Sequence, residues 1–195
     1  MGRLLLACAL VLMPSAVASA QAGAGSAPAP AAATPEALYR AAEVERAAAE
    51  RIRFPRPRNA MTIDKMNEWA VRRFVPYLER RTEALRRAER AYAAVGATGP
   101  SPWSLAAARR VGDLYLVFAT ELRSVPVPTG VRRDPVLLRI FRDAIEEQAR
   151  PLTERAIEGW QKGLELAAEL GIDDEHARRC RAMLAQHAPD RLPAP

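Results

Sequence analysis

The sequence predicts an all-α protein, an antiparallel helical bundle of about five helices with two long helices kinked by proline. Three observations carry this. Strong helix formers (Ala, Leu, Glu and Arg) dominate, whereas aromatic residues make up only 6% of the 195. Apolar residues recur three and four apart along most of the chain, and no run alternates long enough to read as a strand. Cap-plus-proline pairs, Thr34-Pro35, Ser101-Pro102 and Asp134-Pro135, mark where helices begin.

The chain opens on an export signal, residues 1–20. Arg3 is its positive start, Leu4 to Met13 its short apolar core, and Ala18-Ser19-Ala20 its cleavage site, so the mature chain is expected to begin at Gln21, with Ala20 and Gln21 flanking the cut. The apolar run is too short to span a bilayer. Leu5-Leu6-Ala7-Cys8 offers a second reading, a lipoprotein anchored through Cys8, but the apolar stretch before that cysteine is very short and continues past it. Residues 21–33, rich in Ala, Pro and Gly, have too little to bury to offset the entropy of ordering and read as a disordered linker. A single helical domain is expected over 34–188, followed by a disordered tail at 189–195.

Within the domain each helix has its own signals. Thr34 caps the first, whose stripe of Leu38, Ala42, Glu45 and Ala49 is weak, and Phe54-Pro55-Arg56-Pro57 ends it. Thr62 caps a second, long helix running to about Val95. Met66, Phe74, Leu78, Leu85 and Tyr92 share its face, Pro76 is expected to kink it, and Gly96 to close it. Ser101 caps the third, with a stripe of Ala107, Val111, Leu114, Phe118 and Leu122 that stops before the extended Val125-Pro126-Val127-Pro128. Asp134 to Gly171 is the organising stretch: Asp134 caps, Pro135 takes the first position and Gly171 takes the left-handed stop. Leu137, Phe141, Ile145, Leu152, Ala156, Trp160, Gly163, Ala167 and Leu170 predict one broad buried face. Pro151 is expected to kink or break this helix near Gln148. A last helix, capped by Asp173 or Asp174, runs to about His187.

The net charge is +6, and Lys65 and Lys162 are the only lysines among the basic residues. Opposite charges stand four apart, as in Glu83 and Arg87 or Glu158 and Lys162, which is the pattern of solvated helix faces rather than of a nucleic-acid surface. Catalytic residue types are scarce. Cys180 is the one cysteine left after signal removal, so the mature chain has no internal disulfide. His176 and Cys180 lie one turn apart and supply two metal ligands at most; His187 is too far along to join them. Cys180 is expected to pack as a small apolar residue. Glu146 and Glu147 point apart on a helix, and Asp173-Asp174 reads as a helix start. Asp113, set in an apolar stripe, is expected to pair with an Arg from a neighbouring helix. No Gly-rich phosphate loop or nucleophile elbow occurs. Neither a catalytic residue, a metal nor a cofactor is therefore assigned.

Two segments resemble tetratricopeptide repeats. Val111-Gly112-Asp113-Leu114-Tyr115 stands where the repeat's first helix carries Leu-Gly-x-x-Tyr. Ala156, Trp160, Gly163 and Leu164 stand where its second helix carries Ala, an aromatic, a small residue and Leu. Small residues at Gly112 and Gly163 would let two helices approach, with Tyr115 and Trp160 filling the space beside them. The likeness covers about Trp103 to Leu184 and is similar to the C-terminal helical region of exported bacterial tetratricopeptide-repeat proteins. It departs from the repeat in spacing, because a Pro-rich loop and extra helix separate the halves. It implies a short stack of helical hairpins that acts as a protein-interaction scaffold in the cell envelope, while the interspersed charges and the short apolar run predict no nucleic-acid partner and no membrane span in the mature chain.

Two rival readings stand beside this one. A helical ligand carrier or enzyme would need a pocket lined by Trp69, Tyr77, Trp103, Tyr115 or Trp160. An Arg-rich surface would hold anionic lipid or polymer and release it in salt.

Overall fold

The computed structural model describes residues 33–57 and 62–192. The export signal, the Ala20–Gln21 junction, Cys8 and the linker up to Ala32 lie outside the described residues. Helices α1 (Pro35–Glu50), α2 (Ile63–Trp69), α3 (Val75–Gly96), α4 (Pro102–Arg123), α5 (Thr129–Arg132), α6 (Pro135–Leu170) and α7 (Glu175–His187) follow in order. A π-helical turn, Ala70–Phe74, joins α2 to α3 in one rod. The fold is an all-α bundle of the predicted kind, with α5 as a single added turn.

The caps explain where the helices start. Thr34, Thr62, Ser101, Asp134 and Asp174 each accept a hydrogen bond from a backbone N–H in the first turn, satisfying donors that have no partner inside the helix. Gly171 closes α6 in the left-handed region at φ 64°, and Ile172 N–H donates to the Ala167 carbonyl at 2.9 Å. Gly96 does not take that role for α3. It is an ordinary last helical residue, and Gly99, at φ 99°, makes the turn.

The two internal prolines behave differently. The ring of Pro76 presses on the carbonyl one turn back and removes a donor, and the ladder absorbs this by widening to the π turn at 70–74. Pro151 breaks nothing: α6 continues through it as one 36-residue helix. Pro151 and Glu147 both face solvent, so water can satisfy the carbonyl the ring strips of its donor.

Successive long helices pack antiparallel. Glu45 pairs with Arg87 and the Ala49 carbonyl with Arg81, which sets α1 against α3. Tyr77 meets Glu121 and Glu89 meets Tyr115, setting α3 against α4. Gly112 meets Trp160, and Arg123 meets Glu146 and Thr153, setting α4 against α6. Glu154 pairs with Arg191 at 2.9 Å, which lays the chain after α7 back along α6 and holds a short 3-10 turn, Pro189–Arg191, in residues expected to be tail. The first half of α6 extends past α7, so its stripe is only partly covered. Leu137, Phe141 and Ile145 are half-buried rather than core, and Val136 and Ile140 are 57% and 56% exposed.

Two polar networks tie α1 to the bundle. Arg81 is 1% exposed; its Nε donates to Glu121 Oε2 at 3.0 Å and a terminal nitrogen donates to the Ala49 carbonyl at the end of α1. Tyr77 OH donates to the same carboxylate oxygen at 2.6 Å. One helical end higher, Glu43 accepts from Tyr92 and pairs with Arg46 and Arg110. Burial alone would raise the Glu43 carboxyl, but the hydrogen bonds from Tyr92 and Arg46 and the neighbouring guanidinium charges hold it below the usual range.

Glu121→Ala leaves Arg81 and Tyr77 buried without their acceptor. The expected loss in denaturant titration is roughly 2–3 kcal/mol. Glu121→Gln, which keeps an acceptor oxygen, loses less.

Candidate functional site

The site is built on the crossing of α4 and α6. Three glycines let the two backbones and α7 close in. A Cβ on Gly112 would fall inside the Trp160 indole, and one on Gly159 would lie 2.8 Å from the Gly112 nitrogen. A Cβ on Gly163 would lie 2.6 Å from Cys180 Sγ, which brings α7 down onto α6. Gly112 and Gly163 stand out in the sequence as small residues within apolar stripes, and Gly159 does not. Its signal was the Gly159-x-x-x-Gly163 spacing, which places two small residues on one helix face.

Around this seam the chemistry-bearing residues converge. Trp160 is fully buried, and its Nε1–H donates to Asp113 Oδ1 at 3.3 Å. Asp113 takes its arginine from its own helix rather than from a neighbour: Arg109 donates to Oδ2 at 2.6 Å from one turn earlier, because the α4–α6 approach is too close to admit a long side chain from α6. Arg109 Nε–H then donates to His176 Nδ1 at 2.9 Å, linking α4 to α7. His187 stacks on Trp160 with ring centroids 5.7 Å apart. Tyr115 faces away from the seam and donates to Glu89 Oε2 at 2.8 Å. Ala156 and Leu164 are buried on the same face of α6 as Trp160.

These groups are fastened rather than poised. Burial pushes the Cys180 thiol up to about 12, with the Asp113 charge adding to the effect, so at neutral pH it is a protonated filler under Gly163. His176 is held below its ordinary range by burial and by the Arg109 charge, and its Nδ1 lone pair is taken. Burial and the Arg123 charge lower His187 too. Among the described residues, no group of three or more His, Cys, Asp or Glu side chains converges as a metal site.

Beside the seam lies an open groove of about 390 Å³ between α3, α4 and α6. Ala107, Ala108, Val111 and Gly159 form its floor, Ala93, Gly96 and Pro100 one wall, and Leu166 the other, with Lys162 and Glu169 on the rim. Glu89 also lines it, and its pairing with Arg155 at 3.4 Å ties α6 to α3 beside it. Apart from the edge of Tyr92, no aromatic lines it. Trp160, Tyr77 and Tyr115 are core, Trp103 packs at a tilt against Tyr39, and Trp69 stacks on Phe74. Compared with known proteins, the chain matches no family model, no curated protein and no solved structure.

Gly→Ala inside a helix ordinarily stabilises by about 1 kcal/mol. At Gly112 and Gly159 the sign is expected to reverse, with a loss of roughly 1–3 kcal/mol as the helices are forced apart. Gly96→Ala, where nothing lies within 4 Å of the added carbon, is expected to be neutral or stabilising, and urea titration of the three variants separates the cases.

The histidines generate a pH dependence. Both are lowered, so the folded state keeps them neutral. Their contribution is whole above their ordinary value of 6.5 and is lost as pH falls through their folded values. Thermal unfolding midpoints are expected to drop from neutral pH to about pH 5, and His176→Gln, which keeps an acceptor for Arg109, to flatten that slope.

Proposed function

We propose that this chain is an exported, non-enzymatic interaction module of the bacterial cell envelope. The groove between α3, α4 and α6 is its docking surface, and an amphipathic helix of an envelope partner is its occupant. One observation carries the reading: a concave, apolar groove is held open on a rigid glycine-seamed crossing, while the nearby titratable groups are engaged in structural contacts. A floor of alanines and glycine lets a helix backbone come close, much as Gly159 lets α6 approach α4. Lys162 and Glu169 on the rim supply charges of both signs to set the direction of a bound helix.

The likeness of Gly112, Tyr115, Ala156, Trp160, Gly163 and Leu164 to tetratricopeptide positions supports the same reading, since that family binds partner segments in concave grooves. Periplasmic or secreted placement through the cleaved signal belongs to this proposal. No described helix is long and apolar enough to cross a membrane. The ligand-carrier alternative draws less support, because the groove is open to solvent and none of the aromatics it would need lines it: Tyr77, Tyr115 and Trp160 are core, and Trp69 and Trp103 lie elsewhere.

Ala93 is exposed on the groove wall, so Ala93→Trp fills the groove without touching the core. Affinity purification of residues 21–195 from cross-linked envelopes is expected to recover a reproducible partner with the parent chain. Ala93→Trp should lose it at least tenfold with an unchanged unfolding midpoint. Equal recovery by both chains would remove the groove as the docking surface.

A further inference from the structure

The arginines are not evenly engaged. Along the body of the bundle most are paired, among them Arg46 with Glu43 and Glu50, Arg87 with Glu45, and Arg155 with Glu89 and Glu158, with scattered exceptions such as Arg86 and Arg179. At the end where α1 stops and α6 starts they are not. Arg51, Arg53, Arg56, Arg132, Arg133 and Arg139 are exposed, and no carboxylate among the described residues pairs with them.

Packing brings these residues to one end. The loop carrying Arg53 and Arg56 is clamped to the π turn by Phe54, whose ring lies 5.9 Å from Phe74, and by Trp69, whose Nε1–H donates to the Pro55 carbonyl at 2.8 Å. Ile63, at the start of α2, approaches Gly130 of α5 within about 4 Å of where a Cβ would stand. Arg132 and Arg133 close α5, and the first turns of α6 follow directly.

Aliphatic side chains stand out among these charges: Ile63 is 37%, Val136 57% and Ile140 56% exposed. The acids here are Asp64, Glu68, which pairs with Arg72, and Asp134, whose Oδ1 accepts from the N–H groups of Val136 and Leu137. Asp143 and Glu147, further along α6, bear no ion pair and bound the patch on that side.

We propose that this end of the bundle docks onto an anionic lipid bilayer. The arginines meet lipid phosphates, and Ile63, Val136 and Ile140 enter the headgroup boundary. Basic residues around exposed aliphatics are the pattern of peripheral membrane attachment, where anionic lipid supplies attraction and buried apolar area supplies hold. A nucleic acid would account for the arginines but not for the aliphatics. It would also want stacking aromatics, and the rings at this end, Phe54, Trp69 and Phe74, are committed to one another. This surface lies apart from the groove, and the inference stands whether or not the groove binds a helix.

The test is co-sedimentation of residues 21–195 with vesicles of phosphatidylcholine alone and of phosphatidylcholine mixed with phosphatidylglycerol. Binding is expected only to the mixed vesicles and to fade as salt shortens the Debye length from about 10 Å at 0.1 M to 3 Å at 1 M. Arg132→Glu, Arg133→Glu and Arg139→Glu together should weaken it by at least roughly tenfold. Val136→Ser with Ile140→Ser should weaken it several-fold. Arg86→Glu with Arg179→Glu, which reverses exposed unpaired arginines elsewhere, should leave it intact, as should Ala93→Trp. No binding to the mixed vesicles, or an equal loss with the Arg86 and Arg179 pair, would overturn the proposal. So would salt-dependent binding of a DNA duplex with no effect of the two serine substitutions.

Discussion

The contact on which most of this structure depends is the approach of two backbones at Gly112 and Gly159. Nothing larger than hydrogen fits at either position, so the distance between α4 and α6 is set by main chain rather than by side chains. That distance places the Trp160 indole over Gly112 and within reach of Asp113, and it leaves Asp113 to find its arginine one turn back on its own helix. Arg109 is thereby aimed at His176, and α7 is held where Cys180 meets Gly163. A polar chain from Trp160 through Asp113 and Arg109 to His176 thus ties three helices together.

The other side of the bundle is held by a different means. Arg81 reaches past Glu121 to the Ala49 carbonyl near the end of α1, and its methylene stem and guanidinium are buried to do so. Burying a charge is costly unless it is fully partnered, and here a carboxylate, a carbonyl and the Phe118 ring at 6.0 Å share it. Such a pair contributes orientation more than net stability. It fixes where α1 ends, and with it the Arg-rich loop 51–57. The bundle therefore presents two unlike surfaces on one rigid frame, a small-residue groove on its flank and a basic, partly aliphatic tip.

The two internal prolines show how a local rule is applied or set aside by surroundings. The rule is the same at Pro76 and Pro151: a lost donor and a crowded carbonyl. Pro76 is flanked by the core residues Phe74 and Tyr77, and the ladder yields there as a π turn. Pro151 sits on the exposed face, clear of the core, and α6 runs on. Sequence supplied the residue and its consequence for the backbone, but burial decided which consequence followed.

The helical class, the helix starts and the order of elements were legible in the chain, because caps, Pro at the first position and three-four apolar spacing are local chemistry that acts within a turn or two. Thr34, Thr62, Ser101 and Asp134 cap where they stand regardless of what packs above them. The crossing of α4 with α6 was half legible: Gly112 and Gly163 were visible as small residues in apolar stripes, while Gly159 acquires meaning only opposite Gly112. The partners of Arg81, Asp113 and Arg109, the groove, and the gathering of unpaired arginines at one end were not legible. They join residues tens of positions apart, and no local spacing encodes which faces of antiparallel helices will meet. The sequence by itself determined where helices form and which side of each is apolar, through hydrogen bonds and sterics within a few residues. Only tertiary packing decided which polar groups were consumed as structure and which surfaces stayed open, because that depends on how closely two backbones can approach.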